Sequence, residues 1–545
     1  MSLNPRLVAT AALFALLVGP VTPASAEVIN PVPEERREMI LTTPLEDPNR
    51  DISKVWLTYG ALGGIPITPG PSLLMNISKS KFCDEFEGCL ANGDSLISEG
   101  FAPYCKQQKQ TLCVEKVEFR LLGTKDWTEA IFLNYWDATP SKETLAKFNA
   151  HVKTLKEVKR VTSISKTKTW LSDAKSGLVG SAPGALMFDA PGFAGPTGAT
   201  TYLIEPYFRQ HLGPFRSGRP TGKNFGHFQL VAKPIVEVQS EEAHVGVDFV
   251  GLSPEGNNLH MGTGIGNNAG AYAIADGRYG FSSAWNPELE MRITILAPSE
   301  IGGWFHSRLS GPDLQLSQVR KGVNRLVVSG FSTKVPVTTA AVPALAPESR
   351  KYLEYTFGRN SEAIRNLQRA ERELTGGMAT GSLWDPSNGT KDFEFWFSKF
   401  PKKAKGEISV WTVAKMPTER LGNNRCMNRT DRIQGLINTN AMVYQSLVPE
   451  FKNGFLDYQV MGVHYNPDGE EFRGEYDLIM RSDAARCLYR LSKAPVSGTV
   501  TVVDAKGKTE VSTTTLGESK GWLRLSAKNF TFSKKTIKIK LKQKR

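Results

Sequence analysis

Eleven residues in this chain have side chains and spacings that could do chemistry: six cysteines, and five lysines near its last numbered residues. Cys83, Cys89, Cys105 and Cys113 fall in one short stretch, while Cys426 and Cys487 stand far downstream. The intervals inside the first group exceed the two to four residues typical of zinc knuckles. An even number of cysteines spaced this way predicts disulfides and an oxidising compartment. Cys426 with Cys487 is the natural third pair, and the first four leave three connectivities open. No metal site and no cofactor is predicted.

The lysines are Lys534, Lys535, Lys538, Lys540 and Lys542, and they interleave with Ile537, Ile539 and Leu541. A period of two predicts a strand with one apolar and one cationic face. Such lysines guard an exposed sheet edge against aggregation, or they attach the protein to an anionic polymer. Outside a cell that polymer is an envelope polyanion or glycan rather than nucleic acid.

Catalytic patterns are weaker. Gly93-Asp94-Ser95-Leu96 resembles the nucleophile block of the GDSL esterases, but no strand-like run precedes it and no histidine has an aspartate three residues before it. Gly262, Gly264 and Gly266 resemble a dinucleotide loop by letter only, without a βαβ unit around them. His244 and Asp248 share one strand face, which makes a surface pair rather than a metal site without a third ligand. Glu470, Glu471 and Glu475 near His464 could supply glycosidase carboxylates, yet Glu471 and Glu475 read as the polar face of a hairpin. An envelope glycan hydrolase with unassigned carboxylates is therefore the alternative to a non-catalytic binding or structural protein.

The compartment is written at the start of the chain. Arg6 precedes the apolar run Leu7 to Leu17, and Ala24-Ser25-Ala26 supplies small residues for cleavage. This predicts a signal peptide over 1–26 and a mature chain from Glu27. No later segment has the apolar length of a membrane span, so a secreted or surface-associated, soluble product is expected. The formal charge of +13 is local: residues 141–170 and the stretch from Lys534 contain nearly all of it.

The elements that must position these residues are mostly β. Val114 to Arg120 alternates and turns at Gly123 towards Ile131 and Leu133. Val245, Val247 and Phe249 alternate, as do Phe393, Phe395 and Phe397. Leu456, Tyr458 and Val460 lead through Asn466-Pro467-Asp468-Gly469 to Tyr476, Leu478 and Met480, which reads as a hairpin. Two helices are predicted, from Ser141 to about Val158 and after Ser361. The expected architecture is mainly β: two or three antiparallel sandwich-like domains with a few short helices. Its regions are 27–113 with the clustered cysteines, a β domain over 114–337, an Ala/Pro linker over 338–349, and a second β domain over 350–545 ending in a β meander at 498–545. A shared order of aromatic, Arg-Leu-Ser and proline near Trp304 and after Cys487 hints at a duplicated unit.

Arg486-Cys487-Leu488-Tyr489, Gly521-Trp522-Leu523 and Phe530-Thr531-Phe532-Ser533 resemble a module that closes many exported proteins of actinobacteria. The resemblance covers mainly 430–545. It implies an exported context and no activity.

Overall fold

The computed structural model describes residues 54–59, 72–137, 169–239, 247–343 and 389–543, apart from short stretches and single positions within them. The leader over 1–26, both predicted helices, His244, Gly264 and Gly266 lie outside the described residues.

The chain is mainly β, as its alternating runs require. The strands used below are β1 (Lys54–Tyr59), β2 (Leu96–Phe101), β3 (Cys113–Leu121), β4 (Thr201–Leu212), β5 (Lys223–Gln239), β6 (Leu289–Pro298), β7 (Gly303–Arg308), β8 (Val323–Phe331) and β9 (Thr333–Pro343). Helix α1 (Gly389–Trp396) follows, then β10 (Gly406–Lys415), β11 (Ile433–Thr439), β12 (Phe455–Met461) and β13 (Arg473–Arg481). Helix α2 (Ser482–Tyr489) precedes β14 (Val496–Asp504), β15 (Trp522–Thr531) and β16 (Lys534–Gln543). Among the described residues, pairing joins these into one 17-stranded network, a five-stranded sheet containing β3, β6 and β8, and a six-stranded sheet containing β12, β14 and β16.

The large sheet lies between the two smaller ones. On one face, Phe208, Phe228 and Trp411 share a core with Val117, Phe119, Met291 and Ile293 of the five-stranded sheet. On the other, Ile437, Tyr476, Leu478 and Leu525 pack against Leu456, Tyr458, Val502, Ile537 and Ile539 of the six-stranded sheet. Period-two strands can serve two cores in this way because successive side chains leave opposite faces. Among the strands of the described residues, pairing is antiparallel except between β7 and β11, which run parallel with Phe305 beside Leu436.

Several expectations are corrected. Thr338 to Pro343, expected to open the linker, is the second half of β9 and pairs with β1. Strands from both sides of that segment join one sheet, since β10 pairs with β5 and β7. Phe393 and Phe395 lie on α1, and Phe397 begins a 3₁₀ turn. Phe393, Trp396 and Phe400 are buried at helical spacing, and the Phe393 ring stacks on Phe400 with centroids 5.1 Å apart. The helical stripe outweighs the coincident alternation because it buries the larger aromatic set.

The predicted hairpin is an arch. The turn is present, with Gly469 N–H bonded to Asn466 O at 3.0 Å. Its strands go to different sheets: β12 pairs with β16, and β13 pairs with β11 and β15. Both carry apolar side chains into the same core, and Tyr458 faces Tyr476 with ring centroids 5.5 Å apart. The two aromatic, Arg-Leu-Ser and proline motifs do not share a local structure, because Trp304 lies in a strand whereas Cys487 lies in a helix.

Candidate polyanion-binding face

β16 forms because alternate residues can be buried, and the register shows what buries them. Ile537 and Ile539 are fully buried, opposite Tyr458 and Leu456 of β12 on one side and Val502 and Val500 of β14 on the other. With a partner on each side β16 is a central strand. The edge-guarding reading of its lysines is thereby overturned.

The five lysines separate into three environments. Lys535 shares the inward parity of Ile537; it is buried and pairs with Glu510 at 3.1 Å. Lys534 points outward and pairs with Glu394 of α1. Lys538, Lys540 and Lys542 remain on the outer face, the first two half-buried and the third exposed. Among the described residues no carboxylate comes within 4.0 Å of their ammonium groups.

Sequence reasoning missed the partners of this row. Phe455 on β12 lies beneath two of the lysines, with Lys538 Nζ 5.8 Å and Lys540 Nζ 5.0 Å from its ring centroid. The ring's negative face holds both cations without neutralising them. Lys452 pairs with Phe455 across the next strand and is exposed. Asp457 stands opposite Lys538. Burial pushes the Asp457 carboxyl up, with Lys538 opposing it, and Asp457 Oδ1 is buried without a hydrogen-bond partner. On the other flank, Thr501, Thr499 and Ser497 of β14 stand opposite Lys538, Lys540 and Lys542. The alternation Phe455, Asp457, Gln459 against Leu456, Tyr458, Val460 was the available signal for which face Phe455 takes.

A second polar cluster lies on the large sheet. Tyr207 donates its hydroxyl to Glu99 at 2.6 Å, Glu99 pairs with Arg209, and the Tyr207 ring lies 5.6 Å from that of His227. Lys233 reaches Glu205 at 3.1 Å. Glu205 is 1% exposed, burial pushes its carboxyl up against the pull of Lys233, and its Oε1 has no hydrogen-bond partner. Further along the same face, Arg308 is fully buried and donates to Ala441 O at 2.5 Å and Met442 O at 3.1 Å, above the Tyr444 ring. Burial pulls its guanidinium down to about 10. Period-two polar positions inside otherwise apolar β4 were the sequence signal for Glu205, Tyr207 and Arg209.

The other candidates disperse. Asp94 is held by Asn76 Nδ2 at 2.8 Å and Lys79 at 3.0 Å, and Ser95 Oγ lies against Gly213, with Ser95 immediately before a strand rather than after one. Gly262 sits in a strand beside Asp248. Glu471 pairs with its neighbour Arg473, whereas Glu475 accepts from Ser310 Oγ at 3.3 Å and faces Lys528 at 3.8 Å. Those glutamates therefore serve separate local pairs.

The cysteines form Cys83–Cys89, Cys105–Cys113 and Cys426–Cys487. The residues behind the C-terminal resemblance brace the fold. Tyr489 donates to Ile539 O at 2.6 Å, Arg486 grips Glu518 through two 2.8 Å bonds, and Phe532 stacks on Phe472. No helix among the described residues is long and apolar enough to cross a membrane. No protein-family model matches the chain, and no curated protein is similar to it.

Proposed function

We propose that this chain is an exported, non-catalytic protein that holds an anionic envelope polymer or glycan on the outer face of its six-stranded sheet. The observation that carries this reading is the row Lys538, Lys540 and Lys542, three cations on one face that, among the described residues, have no carboxylate within 4.0 Å and are offset in part by Asp457 opposite Lys538. Cations in excess over nearby carboxylates on a solvent-facing sheet favour association with polyanions. The leader-like segment, the three disulfides and the resemblance to exported actinobacterial proteins support the compartment.

Fractionation of producing cells and medium across a salt series tests it. Retention should fall as salt rises, because the screening length shortens from about 8 Å at physiological ionic strength to about 3 Å at 1 M. The K538A/K540A/K542A variant should be released at low salt with its thermal stability unchanged. Retention that ignores both salt and the three lysines overturns the proposal.

A further inference from the structure

The outer face of β16 carries a ladder as well as a charge. Each free lysine stands across from a hydroxyl of β14: Lys538 from Thr501, Lys540 from Thr499, Lys542 from Ser497. Directly opposed residues in an antiparallel pair have Cα atoms about 4.5 to 5.5 Å apart. The Lys538 and Lys540 rungs therefore set an ammonium beside a threonine hydroxyl, whereas at Lys542 the Ser497 hydroxyl donates to the Lys542 carbonyl at 3.4 Å and would turn away from it to meet an anionic group. Successive rungs are two residues apart, about 6.8 Å along the strand.

From this geometry we infer that the face binds a linear phosphodiester polymer with a three-carbon spacer, laid along β16 with one phosphate per rung. The inference rests on the polyanion reading above and adds a period to it. Two strand residues contain about six backbone bonds, and a three-carbon polyol phosphate chain also has six bonds from one phosphorus to the next. Its extended repeat therefore matches the rungs without strain. A phosphodiester presents two free oxygens, one for the ammonium and one for the hydroxyl. Single-stranded nucleic acid has a similar backbone repeat, but it is held largely by stacking bases on open aromatic rings. Here Lys538 and Lys540 already lie over Phe455.

The test uses the full chain and fluorescent poly(glycerol phosphate) oligomers with one to six phosphates. Inorganic polyphosphate and oligothymidylate of equal charge serve as comparisons. Affinity should climb with each phosphate up to three and then level. The log–log salt slope should approach −2 and fall by about 0.7 for each lysine removed, as for single-stranded polyanions. The T501V and T499V variants should each weaken the three-phosphate oligomer several-fold while leaving the salt slope unchanged, a result that generic charge attraction would not give.

Affinity that rises steadily with charge, with polyphosphate as tight and no plateau at three, overturns the ladder but leaves the polyanion reading standing. Tighter binding of oligothymidylate overturns the choice of polymer. Absence of binding to all three removes both proposals.

Discussion

The two smaller sheets both turn a row of cations outward, and they use them in opposite ways. On the five-stranded sheet Arg325 grips Glu115 at 2.6 and 2.8 Å, Arg292 grips Glu118 at 2.8 and 2.6 Å, and Arg120 reaches Glu290 at 2.6 Å. Trp127 lies between two of the guanidiniums, 4.3 Å from Arg120 and 4.2 Å from Arg292. Each of these three guanidiniums is matched by a carboxylate on another strand, and planar guanidinium suits that role. On the six-stranded sheet the cations are lysines, their neighbours across the strands are hydroxyls and a phenylalanine, and Asp457 opposite Lys538, with Glu450 opposite Asp457, offsets them in part. The difference teaches that the useful signal is compensation rather than charge. A matched row holds strands together, and an unmatched row is what the proposed polymer would neutralise.

The severest way to break this contrast is to loosen the frame beneath it. Cys426–Cys487 closes a loop with a separation of 61 residues that contains β12 and β13. Replacing either cysteine by serine should cost about 4 kcal/mol in the chain-entropy model, read from chemical unfolding. Polymer binding should then be lost through unfolding of the lysine-bearing sheet. Next in size, Glu118→Ala leaves the Arg292 guanidinium partly buried without its carboxylate and should destabilise by about 1–3 kcal/mol. Lys540→Ala, on the unmatched row, should change stability by less than about 0.5 kcal/mol. Equal losses from those two variants would erase the distinction.

A smaller effect sharpens it. Thr499→Glu puts a carboxylate opposite Lys540 and converts one rung to the matched kind. Calorimetry should show a gain of about 0.2–1 kcal/mol, typical of an opposite-charge cross-strand pair, while polyanion affinity falls several-fold. The smallest effect is set by pH. Burial holds the Asp457 carboxyl above its ordinary 3.8, so the folded state binds its proton more tightly than the unfolded state. The corresponding stability is fully present below the unfolded value and is lost as pH rises through the folded one. Neutralising Asp457 also makes the face more cationic. Affinity for dextran sulfate, whose charge is constant over this window, should rise as pH falls through it, and Asp457→Asn should flatten that dependence.

Much of this arrangement was legible in the sequence wherever one side chain set dominated. The alternation of Ile537, Ile539 and Leu541 specified a strand, and cysteine spacing specified disulfides. Sheet partnership was not legible, because the same period-two run suits an edge, a hairpin or an arch. Asn466 to Gly469 correctly marked a turn, yet whether β12 and β13 would pair depended on the core that Tyr458 and Tyr476 jointly fill. The lysines looked equivalent in the sequence. Lys534 and Lys535 were removed from the row by Glu394 and Glu510, partners distant in sequence. Glu99, Tyr207 and Arg209 were missed for the same reason, since their cluster exists only through the register of β2 with β4.

The central place of β16 also sets an order of events. β12 and β14 each pair with β16, not with one another, so the six-stranded sheet cannot close until residues 534–543 have arrived. Until then Leu456, Tyr458, Val500 and Val502 lack the neighbours that bury them. During synthesis the chain thus carries an open core until β16 emerges. Contacts so distant in sequence also form slowly. A chain cut before Ile537 should therefore stay open and protease-sensitive from β12 through β15, a loss of assembly rather than of a single strand.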